Sequence, residues 1–195
     1  PDEYWPMIAK ACRDNGVLLV ADEISTGGGR TGRAWGCDHW DIKPDLLVSG
    51  KALSSGFPFS FLLARENTLS RPETAEPGFL SSAFAGNALA LAVAQKTLAI
   101  IMRDNLVVRS EKLGRHLREN LKDLQRNQHF HFIGDIRGKG LLIGIEIVKS
   151  GGEPDPLQAQ NIFKSALKQG LKLGLGGNIL RLSPPFNIAD NDILF

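Results

Sequence analysis

Two short apolar runs, each followed by residues capable of chemistry, stand out in the first quarter of the chain. They are VLLVA at residues 17–21 and LLV at residues 46–48. Runs that are too short for a helix and flanked by turn formers predict strands buried on both faces. Asp22 follows the first run, and Gly50 and Lys51 follow the second. Because ligands of open α/β sheets bind beyond the carboxyl ends of the strands, we expect Asp22 and Lys51 to share one ligand-binding edge.

The rest of the hydrophobic pattern predicts three helical regions. Residues 4–15 predict a helix that Asp2 caps and Gly16 ends. Residues 87–127 predict a long helical section with a bend near residues 103–105. Its first half is apolar on most faces and therefore predicts burial, whereas its second half carries a leucine stripe opposite charged residues. Residues 156–170 predict the last helix.

Further strands are predicted at residues 60–64, 130–136, 141–148 and 179–182. Residues 137–140 are expected to join the second and third of these, and residues 71–78 to form a surface loop. The predicted fold class is α/β, with part of a large domain of mostly parallel sheet and helices at residues 1–104. A smaller α+β domain is predicted at residues 105–195.

Asp22 and Lys51 suggest a cofactor that has both a basic nitrogen and a carbonyl group, as pyridoxal 5'-phosphate (PLP) has. A lysine amine forms a Schiff base with an aldehyde only when unprotonated, which requires a partly desolvated position. A buried carboxylate opposite the pyridine nitrogen keeps that nitrogen protonated, so the ring becomes an electron sink. The alternative is that Asp22 caps a turn and Lys51 is a solvated loop residue.

Five blocks of the sequence, taken in order, closely resemble the class III (omega-type) PLP-dependent aminotransferases. They are LLVADEISTGGGRTG, PDLLVSGKALSSGFP, SSAFAGNALALA, DIRGKGLLIGIEIV and NILRLSPPFNI. The resemblance extends over nearly the whole chain and implies a partial PLP-dependent transferase fold of type I. It also implies that roughly the first half of a longer enzyme is absent here.

The resemblance implies roles for particular residues of these blocks. Asp22 would contact the pyridine nitrogen, and Lys51 would form the internal aldimine. Ile24 would pack on one face of the ring. Ser25, where the family often has glutamine, would lie near the ring hydroxyl.

Ser82 and Asn87 precede the predicted apolar helix, where free backbone N–H groups and the helix dipole favour a phosphate. A simple helix cap by Asn87 is equally consistent with the sequence. The family usually provides a threonine here to the cofactor phosphate of the neighbouring subunit, which implies a homodimer or larger assembly. Ala83 occupies that position in this chain, with Ser82 one residue earlier.

Arg181 lies near the end of the predicted strand 179–182, among apolar residues and just before Ser183 and two prolines. Such an arginine is costly to bury unless it binds an anion, and its planar fork matches a carboxylate. The resemblance implies that Arg181 binds the substrate carboxylate. A salt bridge to Glu146 is the alternative.

Several other functions are disfavoured by the sequence. Gly27, Gly29 and Gly32 fit G-x-G-x-x-G, but five residues separate them from the strand and no sustained helix follows, as a dinucleotide site requires. The four histidines show no ligand spacing, so no metal site is predicted. Glu23 is a possible general base, although local bonding, for example to Arg30 or Arg33, explains it better.

Composition narrows the class of protein further. The chain has 195 residues, 43% of them hydrophobic, and a formal net charge of +2, which argues against a nucleic-acid partner. No apolar run approaches the length of a membrane span. Two cysteines favour a reducing compartment, which we expect to be the cytoplasm or, alternatively, the mitochondrial matrix.

The sequence therefore predicts a transaminase that moves an amino group from an amine or amino acid to an oxo-acid acceptor. A PLP-dependent decarboxylase or aminomutase on the same scaffold remains an alternative, because residues that distinguish these activities are expected mostly in the absent half. A non-catalytic truncated chain is the remaining alternative.

Overall fold

The computed structural model of the chain describes residues 2–66, 68–69, 74, 76, 78, 82 and 85–193. Its helices are α1 (Tyr4–Asp14), α2 (Ala88–Arg103), α3 (Leu106–Arg126) and α4 (Pro156–Lys168). Its strands are β1 (Val20–Asp22), β2 (Leu46–Ser49), β3 (Phe61–Ala64), β4 (Ile133–Lys139), β5 (Leu142–Ile147), β6 (Gly174–Gly176) and β7 (Ile179–Leu182). Most of the expected loop at residues 71–78 lies outside the described residues.

The chain forms two compact units by its internal contacts. The first unit contains Pro1–Gly29 and Arg33–Asn105, and the second contains Arg30–Gly32 and Leu106–Phe195. Three residues of the glycine-rich loop thus belong, by their contacts, to the unit formed mainly by the second half of the chain. Within the described residues, no helix is both long and apolar enough to cross a membrane.

In the first unit, β1 and β2 are parallel and β3 is antiparallel to β2. The pairing of β1 with β2 is supported at its start by Asp45, whose carboxylate accepts a hydrogen bond from the Leu19 amide at 2.8 Å. Helix α1 begins after Glu3, which makes no side-chain cap, so the predicted cap by Asp2 is wrong. A short 3-10 helix, Gly36–Trp40, precedes β2.

The first unit leaves much of its apolar surface exposed. Alternate positions around β1 differ sharply: Leu19 and Ala21 are buried, whereas Val20 is 51% exposed. The expectation of burial on both faces is therefore wrong for this chain, because its three-stranded sheet offers cover on one face only. Helix α2 also exposes apolar residues: Ala90 and Ile101 are buried, whereas Leu89 is 61% exposed.

The long helical section is interrupted where a bend was predicted. Helix α2 ends at Arg103 and α3 begins at Leu106, with Asn105 at φ 50° between them. Asparagine tolerates this left-handed conformation better than most residues, which explains the break at that position. Of the leucine stripe, Leu117 and Leu121 pack against the core of the second unit.

The second unit is built on a four-stranded antiparallel sheet in the order β4-β5-β7-β6. The alternation of β5 turns Ile143, Ile145 and Ile147 to one side, where they are buried with Leu180 of β7 and Ala159 of α4. Burial of apolar area contributes about 25 cal/mol per Å², so this cluster stabilises the unit.

The hairpin between β4 and β5 is tighter than predicted. Strand β4 continues to Lys139, which pairs with Leu142, so the turn is formed by Gly140 and Leu141 rather than by residues 137–140. Gly140 has φ 51°, which a tight hairpin turn requires. Residues 128–130 form a 3-10 helix instead of the start of the predicted strand.

The turn at Gly140 also holds the segment Arg30–Gly32. The Leu141 amide donates to the Arg30 carbonyl at 3.0 Å. A Cβ atom on Gly140 would lie 2.4 Å from the Thr31 carbonyl carbon, and one on Gly114 of α3 would lie 1.9 Å from the Gly140 oxygen. Two glycines therefore let helix, hairpin and loop backbones approach one another closely.

Candidate active site

The ends of β1 and β2 bring four of the sequence-predicted site residues to one edge of the first unit. The strands are parallel and pair Asp22 with Val48, so their carboxyl ends lie side by side. Lys51 lies two residues after the end of β2, and Ile24 and Ser25 lie two and three residues after the end of β1. The expectation that Asp22 and Lys51 share one edge is met.

Lys51 reaches toward the loop that follows Asp22. Its ammonium group donates a hydrogen bond to the Ser25 hydroxyl, with an Nζ–Oγ distance of 2.6 Å. Lys51 has φ 29°, in the left-handed region that non-glycine residues seldom adopt. Backbone strain of this kind persists where the surroundings enforce it and is common at functional sites.

Gly50 allows the backbone before Lys51 to lie against the chain that enters β3. A Cβ atom on Gly50 would stand 2.8 Å from the Phe59 carbonyl oxygen, which is too close for any side chain. The position of Lys51 thus depends on a residue without a side chain.

The Asp22 carboxylate is oriented by the backbone, because its Oδ1 accepts a hydrogen bond from the Ile24 amide at 3.0 Å. Asp22, Ser25 and Lys51 are exposed, and Ile24 is half-buried. The expected burial of the carboxylate and partial desolvation of the amine are therefore wrong for this chain. The reason is the open edge of the sheet, which the first unit leaves uncovered.

Glu23 occupies a different environment from its neighbour Asp22. It is 2% exposed, and its carboxylate accepts hydrogen bonds from the amides of Gly36 and Cys37 and from the Thr26 hydroxyl. Local hydrogen bonding was expected, but the proposed arginine partners are wrong. The correct partners lie 13 and 14 positions along the chain, so no local pattern in the sequence indicated them.

The Cys37 thiol lies in this buried environment. Burial and the neighbouring negative charge of Glu23 raise the pKa of Cys37 from 9.0 to about 12. The residue is 1% exposed, so it is held as a neutral thiol at physiological pH.

Ser82 lies five residues before the N-cap of α2, and its carbonyl oxygen accepts a hydrogen bond from the Ala85 amide at 3.0 Å. The Asn87 side chain caps α2 by accepting from the Ala90 amide at 3.0 Å, as the simpler alternative predicted. Ser81, Ala83 and Phe84 lie outside the described residues. A phosphate contact by Ser82 remains a prediction.

Arg181 lies on β7 in the second unit, between glycines of both neighbouring strands: it pairs with Gly144 of β5 and Gly174 of β6. A Cβ atom on Gly174 would be 3.0 Å from the Arg181 Nε, so the guanidinium extends across that glycine. The side chain is exposed, which contradicts the expectation of a costly buried position.

The alternative partner of Arg181 is engaged elsewhere. Glu146 accepts a hydrogen bond from the Asn178 amide group at 3.4 Å and lies 3.9 Å from Arg137. Among the described residues, no ion pair joins Glu146 to Arg181, so the predicted alternative of a salt bridge is wrong. Within the part of the chain that the structure describes, the exposed Arg181 guanidinium forms no ion pair.

Arg30 makes a contact that sequence reasoning missed. Its guanidinium donates to the Pro184 carbonyl oxygen at 2.5 Å and lies 4.2 Å from the centre of the Phe186 ring. Burial lowers the pKa of Arg30, although the group stays charged. The contact joins residues 154 positions apart, so no local pattern in the sequence could reveal it.

The residues at the edge of the first unit suit a pyridoxal group in three respects. Lys51 offers an amine, Asp22 a carboxylate on the adjacent strand, and Ser25 a hydroxyl already within hydrogen-bond distance of that amine. Ile24, which is half-buried, adds an apolar side chain to the same segment. This donor set matches the aldehyde, the basic nitrogen and the ring hydroxyl of the cofactor.

A lysine and an aspartate at the carboxyl ends of adjacent parallel strands lie where open α/β sheets bind their ligands. The chain belongs to the class III aminotransferases, since the family model described as "Aminotransferase class-III" matches residues 1–194.

Individual relatives agree with that assignment. The chain is 39% identical over 189 residues to a probable 4-aminobutyrate aminotransferase of Bacillus subtilis, covering 94% of this chain and 42% of the relative. It is 36% identical over 188 residues to an alanine/serine racemase of Pyrococcus horikoshii, covering 95% of this chain and 38% of the relative. The chain thus spans about two fifths of the length of these relatives.

The fold also matches a solved structure. An ornithine aminotransferase from Toxoplasma gondii, whose active site holds PLP at partial occupancy, superposes with a TM-score of 0.87 at 32% identity. The match covers 99% of this chain and 44% of the other. The partial transferase fold inferred from the sequence is therefore confirmed.

Proposed function

We propose that this chain is the part of a PLP-dependent transaminase that carries the reactive lysine. The observation that carries the proposal is the 2.6 Å contact between the Lys51 amine and Ser25, three residues after Asp22. Membership of the class III aminotransferases supports it. The amino donor is an amine or amino acid and the acceptor an oxo-acid, and the assembled enzyme is a homodimer or larger.

Each residue of the site has a distinct role in this proposal. Lys51 holds the cofactor covalently through Nζ, and Asp22 keeps a proton on the pyridine nitrogen. Ser25 contacts the ring hydroxyl, Ile24 packs on the ring, and Ser82 contributes to the phosphate site. When bound, PLP supplies an electron sink for negative charge on the substrate carbon.

Lys51 also carries the proton that the reaction moves. With PLP bound, the Lys51 Nζ would be the group that takes a proton from the substrate carbon and later gives it back. Arg181 binds the substrate carboxylate through two parallel hydrogen bonds, which orient that carbon.

We expect the 195-residue chain to be inactive by itself and to bind PLP weakly. Val17, Leu18 and Val20 are each more than half exposed in the first unit. Uncovered apolar area costs about 25 cal/mol per Å², which favours aggregation or assembly with covering segments. A stable, catalytically competent monomer of this chain would contradict the expectation.

Borohydride reduction of the holoenzyme containing this chain tests the proposal. Reduction fixes the cofactor to its lysine, and peptide mapping identifies the residue. We expect the label on Lys51, no label in Lys51→Ala, and a normal label in the matched control Lys43→Ala. A label on any other lysine would refute the assignment.

Asp22→Ala tests the second role. We expect the cofactor to remain attached to Lys51 while turnover falls by two orders of magnitude or more, because the ring loses its proton. Unchanged turnover would remove Asp22 from the mechanism.

Racemisation is a second candidate, favoured by the 36% identity with the alanine/serine racemase. Both reactions need Lys51 and Asp22, but only transamination consumes an oxo-acid. Assaying one amino acid with and without 2-oxoglutarate, and following both chirality and amino transfer, distinguishes the two.

A further inference from the structure

Glu23 is the most deeply buried acidic residue around the candidate site, although it directly follows the exposed Asp22. It is 2% exposed, and each of its backbone and side-chain polar groups is hydrogen-bonded. A buried carboxylate is costly unless its bonds are satisfied, so this arrangement requires the surrounding donors to keep their positions.

The backbone of Glu23 joins the two strands that end at the site. Its amide donates to the Val48 carbonyl oxygen at 2.7 Å, which continues the pairing of β1 with β2 beyond Asp22. Its carbonyl oxygen accepts from the Gly27 amide at 2.9 Å and from the Ser49 hydroxyl at 3.3 Å. The residue therefore contacts both the segment before Lys51 and the glycine-rich loop.

The carboxylate of Glu23 fixes a third segment. Its two oxygens accept from the amides of Gly36 and Cys37, each at 2.8 Å, and one of them also accepts from the Thr26 hydroxyl. A Cβ atom on Gly36 would lie 3.0 Å from Oε2, so the absence of a side chain at Gly36 allows this close approach. The carboxylate thus closes the loop of residues 24–35 against the start of the 3-10 helix.

From these contacts we infer that Glu23 is a positioning residue that sets the direction of Asp22. The inference rests on the proposed function, because it concerns how Asp22 faces the pyridine nitrogen. Asp22 lies in the chain between Ala21 of the strand and Glu23, and its carboxylate accepts a hydrogen bond from the Ile24 amide. Fixing Glu23 at both backbone and side chain leaves Asp22 little freedom to rotate away.

A catalytic role for Glu23 is not needed in this arrangement. Its oxygens already accept three hydrogen bonds inside the first unit, so they are occupied by donors of the chain itself. Its effect on the reaction passes through the geometry of Asp22. The earlier alternative of a general base is replaced by this role.

Glu23→Gln is the informative substitution, because glutamine has nearly the same shape but only one acceptor oxygen. Its amide nitrogen would face a backbone N–H donor at Gly36 or Cys37, which turns one hydrogen bond into a repulsive contact. The matched control is Asp38→Asn. Asp38 accepts from the Trp35 amide at 2.9 Å at the same 3-10 helix, but its side chain is exposed.

The first measurement is hydrogen exchange of the complete enzyme without bound cofactor. We expect the peptide containing Gly36 and Cys37 to exchange at least tenfold faster in Glu23→Gln, with the peptide ending at Asp22 also faster. Asp38→Asn is expected to loosen the 3-10 helix without changing exchange at Asp22. Unchanged exchange at Asp22 in Glu23→Gln would overturn the inference.

The second measurement uses the loaded enzyme. In Glu23→Gln we expect kcat to fall by 10- to 100-fold, KM for both substrates to stay within twofold, and the pH titration of the bound cofactor's absorbance to shift. Asp38→Asn is expected to leave all three unchanged. A purely structural residue would lower only the melting temperature, and that result would refute the positioning role.

Two further controls keep the outcomes distinct. If Glu23→Gln fails to fold, Thr26→Val, which removes a single hydroxyl donor, is expected to give a smaller change of the same kind, whereas Thr26→Ser restores normal values. Normal kinetics and absorbance in Thr26→Val would then count against the inference. Borohydride labelling separates the two hypotheses. A label on a residue other than Lys51 refutes the proposed function. A label on Lys51, together with normal kinetics and absorbance of Glu23→Gln, refutes this inference alone.

Discussion

Arg30→Lys tests whether the loop segment Arg30–Gly32 supports the turn that follows Arg181. The Arg30 guanidinium donates to the Pro184 carbonyl oxygen and lies on the Phe186 ring at the same time. A lysine keeps the positive charge, but its single ammonium group cannot make both contacts in this geometry. The turn after β7 is therefore expected to loosen.

The magnitude follows from the two contacts. A hydrogen bond from a charged donor contributes about 1.5–3 kcal/mol, and a cation over an aromatic ring about 0.5–2 kcal/mol. Because lysine retains part of one contact, we expect Arg30→Lys to lower the free energy of unfolding by about 1–2 kcal/mol. For a chain of this size that corresponds to roughly 2–8 °C in melting temperature.

Thermal unfolding and steady-state kinetics of the holoenzyme measure the two consequences. Beyond the loss of stability, we expect KM for the oxo-acid to rise severalfold, because the turn next to Arg181 moves. Arg33→Lys is the matched control, since Arg33 lies in the same loop and, among the described residues, forms no ion pair. Equal melting temperatures and equal KM values for Arg30→Lys and the wild type would refute the reasoning.

Four further predictions concern other parts of the chain. Arg181→Lys is expected to raise KM for the oxo-acid about tenfold or more, because a point charge replaces a guanidinium that binds through two hydrogen bonds. The absorbance of the bound cofactor should not change. A normal KM with a lower melting temperature would indicate a structural role. At pH 8 a thiol reagent is expected to label Cys12 and spare Cys37, because a pKa of about 12 keeps Cys37 protonated; equal labelling would contradict its burial. The folded state favours the protonated thiol, so the stability from Cys37 is complete below pH 9 and is lost as the pH rises toward 12, as unfolding curves would show. Gly114→Ala gains about 1 kcal/mol of helix propensity. We nevertheless expect net destabilisation by about 1–3 kcal/mol from overpacking, because the new Cβ atom would lie 1.9 Å from the Gly140 oxygen. An unchanged or higher melting temperature would show that the two backbones can separate.

The sequence by itself determined most of the local elements and pointed to Asp22 and Lys51 as the candidate pair. Short apolar runs bounded by turn formers predicted strands in the regions of β1 and β2, although β1 is Val20–Asp22 rather than residues 17–21. The rule for carboxyl ends of parallel strands placed Asp22 and Lys51 at one edge. These inferences succeed because they depend on neighbours within a few positions. The helix cap by Asn87 and the helix break at Asn105 could be predicted for the same reason, because capping and left-handed backbone conformation are local properties.

Burial was the property that local pattern could not determine. An apolar run indicates that cover is favourable, but the cover itself comes from other segments, and the first unit provides it on one face of β1 only. For this reason the expected desolvation of Asp22 and Lys51 is absent from this chain. The same limit applies to Leu89 and the rest of α2's exposed face.

Only the tertiary structure decided the partners of buried and charged side chains. Glu23 reaches Gly36 and Cys37, 13 and 14 positions away, and Arg30 reaches Pro184, 154 positions away. No periodic signal encodes such pairings, because each depends on how separate loops are brought together by sheets and hairpins. The sequence therefore supplied the chemistry of the candidate site, and the fold determined which residues hold that chemistry in place.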